Sequence, residues 1–180
     1  MAMLPLPAKG GGGIFLVMVR GCEMRSVTAI YTAPRYRRGS MTPSVTLEVY
    51  TDGAARGNPG PAAIGYAVYD GDGRVLHKDS RVVGVRTNNQ AEYEAFVWAL
   101  ERVVKMGATD VRFYSDSELM VRQVNGQYKI RDPRLRDLND LAQRYINSLD
   151  KFEIEHVSRQ NERTSRVDAM INEELDEYEK

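Results

Sequence analysis

The stretch Tyr50-Thr51-Asp52-Gly53-Ala54-Ala55-Arg56-Gly57-Asn58-Pro59-Gly60 most restricts the architectures open to this chain. It follows Val45-Thr46-Leu47-Glu48-Val49, an alternating run rich in β-branched residues that predicts a strand over about residues 45–52. The glycines and proline that come next predict a tight reversal. Asp52 falls at the end of that strand. Ligands of α/β sheets gather outside the carboxyl ends of strands, which makes Asp52 the first candidate functional residue.

The remaining elements follow from periodicity and breakers. Ile64 to Tyr69 and Arg74 to Val83, joined by Asp70-Gly71-Asp72-Gly73, predict an antiparallel three-strand meander with the first strand. A helix is predicted from Gln90 to Met106, stopped by Gly107. A strand over Asp110–Ser115 leads to a short helix from Ser117 to Asn125, with Gly126 as its stop. After the polar link Gln127 to Pro133, a helix of about 134–149 precedes a strand over Phe152–Val157, and a last helix runs from about Ser165. The order βββαβααβα predicts an α/β fold, a five-stranded mixed sheet flanked by helices.

Composition separates the chain into two unlike parts. Residues 1–44 hold six basic residues and one acid, a Gly10 to Gly13 run, a short apolar run (Ile14 to Val19) and the cluster Arg35-Tyr36-Arg37-Arg38. The apolar run is too short to span a membrane, and it lacks the small-residue cleavage site of a signal peptide. A basic tail or an upstream extension of the reading frame is expected here, with the folded domain over residues 45–180. That domain carries 19 basic and 24 acidic residues, so the zero net charge of the whole chain hides a mildly acidic body. Binding a polyanion then requires a local basic surface or bound cations. The single cysteine, Cys22, excludes an intramolecular disulfide and fits a cytoplasmic location, and no Cys/His cluster suggests zinc.

Four carboxylates stand out. Ala95, Phe96, Ala99, Leu100 and Val103 form an apolar helical stripe, and Glu92 lies on it, so Glu92 points toward the sheet. Tyr114-Ser115-Asp116 repeats Tyr50-Thr51-Asp52 with the same parity at a strand end, which places Asp52 and Asp116 on one face at one edge. Asp168 lies on the side of Ile171 and Leu175 in the last helix. Each also has a purely structural reading: a turn for Asp52, a capping box Asn89 to Glu92, an N-cap for Asp116, and a capping box Ser165 to Asp168. Together they suggest a shared site, because four like charges brought close repel unless a cation offsets them. An all-oxygen cluster suits Mg²⁺ or Mn²⁺.

Over residues 45–178 these motifs resemble ribonuclease H type 1, in its shorter branch without a basic protrusion. Thr51-Asp52-Gly53 followed by Gly57-Asn58-Pro59-Gly60 is similar to the family's first motif. Thr87-Asn88-Asn89 with Glu92 is similar to its second, and Ser115-Asp116-Ser117 with Val121-Arg122-Gln123 to its third. His156-Val157-Ser158-Arg159 resembles the segment that ends the last strand in the shorter branch. Before the final aspartate, Thr164 and Val167 stand where that branch usually has Asn and Ala, in a slightly longer loop.

The resemblance implies an endonuclease that hydrolyses the RNA strand of RNA/DNA hybrids with two Mg²⁺ ions, leaving 3′-OH and 5′-phosphate ends. Mn²⁺ is a possible replacement. It implies Asp52, Glu92, Asp116 and Asp168 as catalytic metal ligands. It also implies substrate contacts at Gly53, Asn58, Asn88, Asn89 and Gln90, a DNA phosphate contact at Thr87, and product release or a phosphate contact at Arg159. Amide side chains suit recognition of a 2′-OH, since they both donate and accept. A monomer acting without a membrane is expected. His156 alternates with Phe152 and Ile154 and reads as a packed strand residue, and Trp98 as packing. Two other functions stay open: a nuclease of the same fold with another substrate, such as duplex RNA or DNA, and a non-catalytic hybrid-binding module. The first-strand Asp-x-Glu pair of exonucleases is missing from Asp52-Gly53-Ala54, and a pure polyanion binder gains nothing from intact carboxylates.

Overall fold

The structure, a computed structural model, describes residues 46–180. The N-terminal extension, including its apolar run and basic cluster, lies outside the described residues. Nine elements follow in order. They are β1 (Thr46–Ala55), β2 (Gly60–Tyr69), β3 (Val75–Arg86), α1 (Asn88–Lys105), β4 (Asp110–Ser115), α2 (Glu118–Val124), α3 (Pro133–Ile146), β5 (Lys151–His156) and α4 (Glu162–Tyr178). The sheet order is β3-β2-β1-β4-β5. The first three strands form the antiparallel meander, while β4 joins β1 and β5 joins β4 in parallel. The expected α/β architecture and element order are therefore both present.

Alternation along β1 assigns the two faces of the sheet. Leu47 and Val49 pack with Tyr66, Val68, Phe96, Leu100 and Phe113 in the main core beneath α1, which α3 closes with Leu135 and Ala142. Tyr50 faces the other way and packs with Ala67, Tyr69 and Val167 of α4. Among the described residues no helix is long and apolar enough to cross a membrane.

Several boundaries differ from the sequence expectation. β1 runs on to Ala55 and β2 begins at Gly60, with Ala55 opposite Ala62, so the reversal is confined to residues 56–59. Alanine, glycine and proline are poor strand formers in isolation. Here they are favoured by packing: Ala62 and Ala63 are fully buried, one facing α1 and the other α4. α1 begins earlier than Gln90. Thr87 is its N-cap, and a reciprocal capping box joins the Thr87 hydroxyl to the Gln90 N–H (3.3 Å) and the Gln90 side chain to the Thr87 N–H (3.1 Å). α4 likewise starts before Ser165, capped by Asn161.

Candidate active site

The site forms where β1 parts from β4. Their parallel ladder ends at the pair Thr51–Ser115, and the next residues, Asp52 and Asp116, stand side by side at the mouth of the crevice. Asp52 is therefore not a strand terminus, since β1 continues against β2 through Ala55. What exposes it to a ligand is the turn of β4 into α2. That helix is capped by Ser117, whose hydroxyl accepts from the Met120 N–H, so Asp116 is free of the capping role.

Glu92 enters from the other face. Its approach depends on Gly53, where a Cβ would lie 2.3 Å from the Ala91 carbonyl carbon. The first turn of α1 thus rests directly on the β1 backbone. With Thr87 and Gln90 forming the cap, Glu92 is not the capping acid. Its two oxygens accept from the Ser117 hydroxyl and from Asn88 Nδ2 (2.9 Å). Asn88 is itself fixed, its Oδ1 accepting from the Ala55 N–H (3.3 Å) and its own N–H donating to Asn58 Oδ1 (3.1 Å). The hairpin loop is thereby tied to the start of α1. Asn58 and Asn89 are exposed on this rim, whereas Gln90 is buried in the cap.

Asp52 accepts from the Gly53 N–H at 2.7 Å. Burial, then repulsion from Asp116, and more weakly from Asp168 and Glu92, pushes its carboxyl up to about 7. Burial likewise pushes Glu92 up to about 7, against the hydrogen bond from Ser117 and with Asp116 adding to the rise. Repulsion from Asp116, Asp168 and Glu92 bears on Asp52, while among the described residues no three of these acids stand close enough together to form a metal-holding group. Asp168 itself lies on an exposed part of α4 beside the buried Val167. The capping box read over Ser165 to Asp168 is absent, because those residues lie inside the helix.

Arg159 reaches back from the loop before α4. Its Nε donates to Asp116 Oδ2 at 2.7 Å, with the arginine side chain 81% exposed and the aspartate 5%. The other Asp116 oxygen, Oδ1, is buried without a hydrogen-bond partner. His156, at the end of β5, is exposed rather than packed. Trp98 packs edge-on against Tyr66 at 4.8 Å, with Arg81 over its outer face at 4.1 Å. Between β3, α1 and α3, a cleft of about 310 Å³ is lined by Arg86, Gln90, Glu94, Arg134, Asp137 and Leu138.

Residues 50–169 match the family model described as reverse transcriptase-like. Ribonuclease HI of Halobacterium salinarum is 36% identical over 161 residues, covering 89% of this chain and 76% of that protein. The chain belongs to the type 1 ribonuclease H family. The crystal structure of RNase H1 from Halobacterium salinarum superposes with a TM-score of 0.70 at 39% identity, covering 73% of this chain and 98% of that one. LC11-RNase H1, solved in complex with RNA/DNA hybrid, gives a TM-score of 0.69 at 37% identity, covering 74% of this chain and 99% of that one. A Mycobacterium tuberculosis bifunctional protein, Rv2228c, is 36% identical over 129 residues, and the chain spans about a third of it (35%).

As a ribonuclease H, the chain shows two features that sequence reading did not find. Ser117 belongs to the Ser115-Asp116-Ser117 motif, but its hydrogen bond to Glu92 joins residues from two distant elements, which no local pattern announces. Arg86 and Arg134 share a cleft with Gln90 although they come from β3 and α3.

Proposed function

We propose that this ribonuclease H cleaves the RNA strand of RNA/DNA hybrids by metal-assisted hydrolysis, leaving 3′-OH and 5′-phosphate ends. The observation that carries the reading is the unpartnered, buried Asp116 Oδ1 set between acids whose ionisation burial opposes. A buried carboxylate oxygen without a donor costs on the order of 1–3 kcal/mol, and a cation removes that cost. The donors near it are carboxylate oxygens, which suit Mg²⁺ and also accept Mn²⁺. Among the described residues no three carboxylates already form a closed cage. Oxygens of Asp52, Glu92 and Asp116 instead receive hydrogen bonds, from Gly53, Asn88, Ser117 and Arg159.

Asp52, Asp116, Glu92 and Asp168 are the residues proposed to hold the ions. Two such ions, when bound, supply the charge that stabilises the attacking and leaving oxygens of an in-line displacement. The rest falls to the chain. Gly53 lets α1 and β1 meet closely enough for Glu92 to join the aspartates. Asn88 orients Glu92 and, through Asn58, the loop that borders the site. Asn58 and Asn89 line the approach, and amides of this kind distinguish ribose from deoxyribose by bonding its 2′-OH. Thr87, whose hydroxyl oxygen caps α1, keeps its hydroxyl hydrogen to donate to a phosphate at the helix start. Arg159, largely exposed, is placed to exchange Asp116 for a phosphate oxygen.

The test is cleavage of a labelled hybrid in Mg²⁺ or Mn²⁺, run beside single-stranded RNA, duplex RNA and duplex DNA, with end analysis of the products. Cleavage confined to the RNA strand of the hybrid is expected, and loss of it in EDTA. Failure to cut the hybrid under any metal condition refutes the proposal.

A further inference from the structure

Helix α4 is seated on the sheet through one position that has no side chain. Gly65 of β2 is the cross-strand partner of Asp52. A Cβ added to it would lie 2.8 Å from Ile171 Cγ2 and 3.2 Å from Val167 Cγ1. Val167 and Ile171 are both fully buried, and Asp168 follows the first of them directly. Asp168 stands about 100° around the helix from Val167, the residue that packs over the strand partner of Asp52.

A second anchor lies one turn earlier. Arg163 pairs with Glu48 of β1, and its guanidinium sits over the rings of Tyr69 at 4.4 Å and Tyr50 at 5.4 Å. Glu48, Tyr50 and Asp52 are alternate residues of one strand, so they share a face. Arg163 therefore holds α4 against the same row of side chains that ends in Asp52. Gly65 sets how closely the helix approaches; Arg163 sets where along the strand it stands.

We propose that Gly65 and Arg163 are positioning residues that fix the approach of Asp168 to Asp52 and, through it, the divalent-cation affinity of the site. This rests on the reading that Asp168 and Asp52 share a cation. Neither residue touches the ion or the hybrid in this scheme. A displaced ligand weakens a hard cation that demands near-ideal oxygen geometry, and loss of an outer partner of a metal ligand typically costs 10–100-fold in affinity.

The experiment is Mn²⁺ binding by isothermal titration calorimetry on the full chain without nucleic acid. It compares the unaltered protein with Gly65→Ala, Arg163→Met, Asp168→Asn, and each of the first two combined with the third. Gly65→Ala and Arg163→Met are each expected to weaken Mn²⁺ about tenfold. In the Asp168→Asn background the same changes are expected to have no further effect. Arg163→Lys, which keeps the charge beside Glu48, is expected to recover part of the affinity. Wild-type affinity in both Gly65→Ala and Arg163→Met refutes the proposal, as does an equal loss with and without Asp168. In either case Asp168→Asn still reports a metal ligand. Unchanged binding in Asp168→Asn itself refutes the underlying assignment, and this proposal with it. Should Gly65→Ala fail to fold, Arg163→Met carries the same cycle.

Discussion

Replacing Asp52 by asparagine should make the metal-free protein more stable while abolishing its catalysis. Asp52 is 9% exposed and its carboxyl is pushed from 3.8 up to about 7, by burial first and by Asp116 second. The folded state thus holds a proton that the unfolded chain releases near pH 4. Below that pH both states are protonated and the group costs nothing. As pH rises, the folded protein loses stability by up to ~1.4 kcal/mol per pH unit from this group, and the loss levels off above pH 7. At pH 8 the ceiling is on the order of 4 kcal/mol. Asparagine carries no charge and its carbonyl still accepts from the Gly53 N–H. Thermal unfolding in EDTA at pH 8 should therefore show Asp52→Asn melting higher, by roughly 3 °C per kcal/mol recovered. The difference should shrink toward zero near pH 4. Added Mg²⁺ should stabilise the unaltered protein and leave the variant nearly unmoved. Hybrid cleavage should fall by at least ~10³-fold, since cation stabilisation of the transition state is worth several kcal/mol. A variant no more stable than its parent in EDTA at pH 8, or one with an equal gain at pH 4, would show that this carboxylate is not under electrostatic stress.

Arg159→Met removes the cation that now holds Asp116 and should tighten Mn²⁺ binding several-fold in the absence of substrate, while lowering the turnover of hybrid. Weaker metal binding, measured by calorimetry, would contradict a competing guanidinium. Arg134→Ala, in the cleft beside Gln90, should weaken hybrid binding and reduce the slope of log K against log salt by about 1, read by fluorescence anisotropy. An unchanged slope would place Arg134 away from the phosphates. A chain beginning at Met41 is expected to fold with unaltered thermal stability and hybrid cleavage; loss of either assigns the N-terminal extension a part in the domain.

Much of the site was legible in local patterns. The matched triplets ending in Asp52 and Asp116 carried their common face, because strand alternation has a period of two and the β1–β4 register preserves it. The apolar stripe of α1 likewise directed Glu92 inward, where it is buried. Boundaries were harder. Ala54, Ala55 and Ala62 do not look like strand residues, and only the helices pressing on both faces of the sheet make them favourable there. The cap of α1 lies at Thr87, two residues before Asn89; both are competent caps, and the reciprocal box with Gln90 settles on Thr87.

Element order, the pairing of Asp52 with Asp116, and the inward aim of Glu92 were all determined by the sequence alone, because each depends on spacing within a short segment. Distances between segments were not. That Gly53 admits α1, that Gly65 admits α4, that Ser117 bonds Glu92, and that Arg159 takes one oxygen of Asp116 while leaving the other unpartnered were decided only by the tertiary structure. Close packing sets these contacts: a residue without a side chain acquires its meaning from the element that fills the space, and a buried charge from the groups that the fold brings to it or withholds.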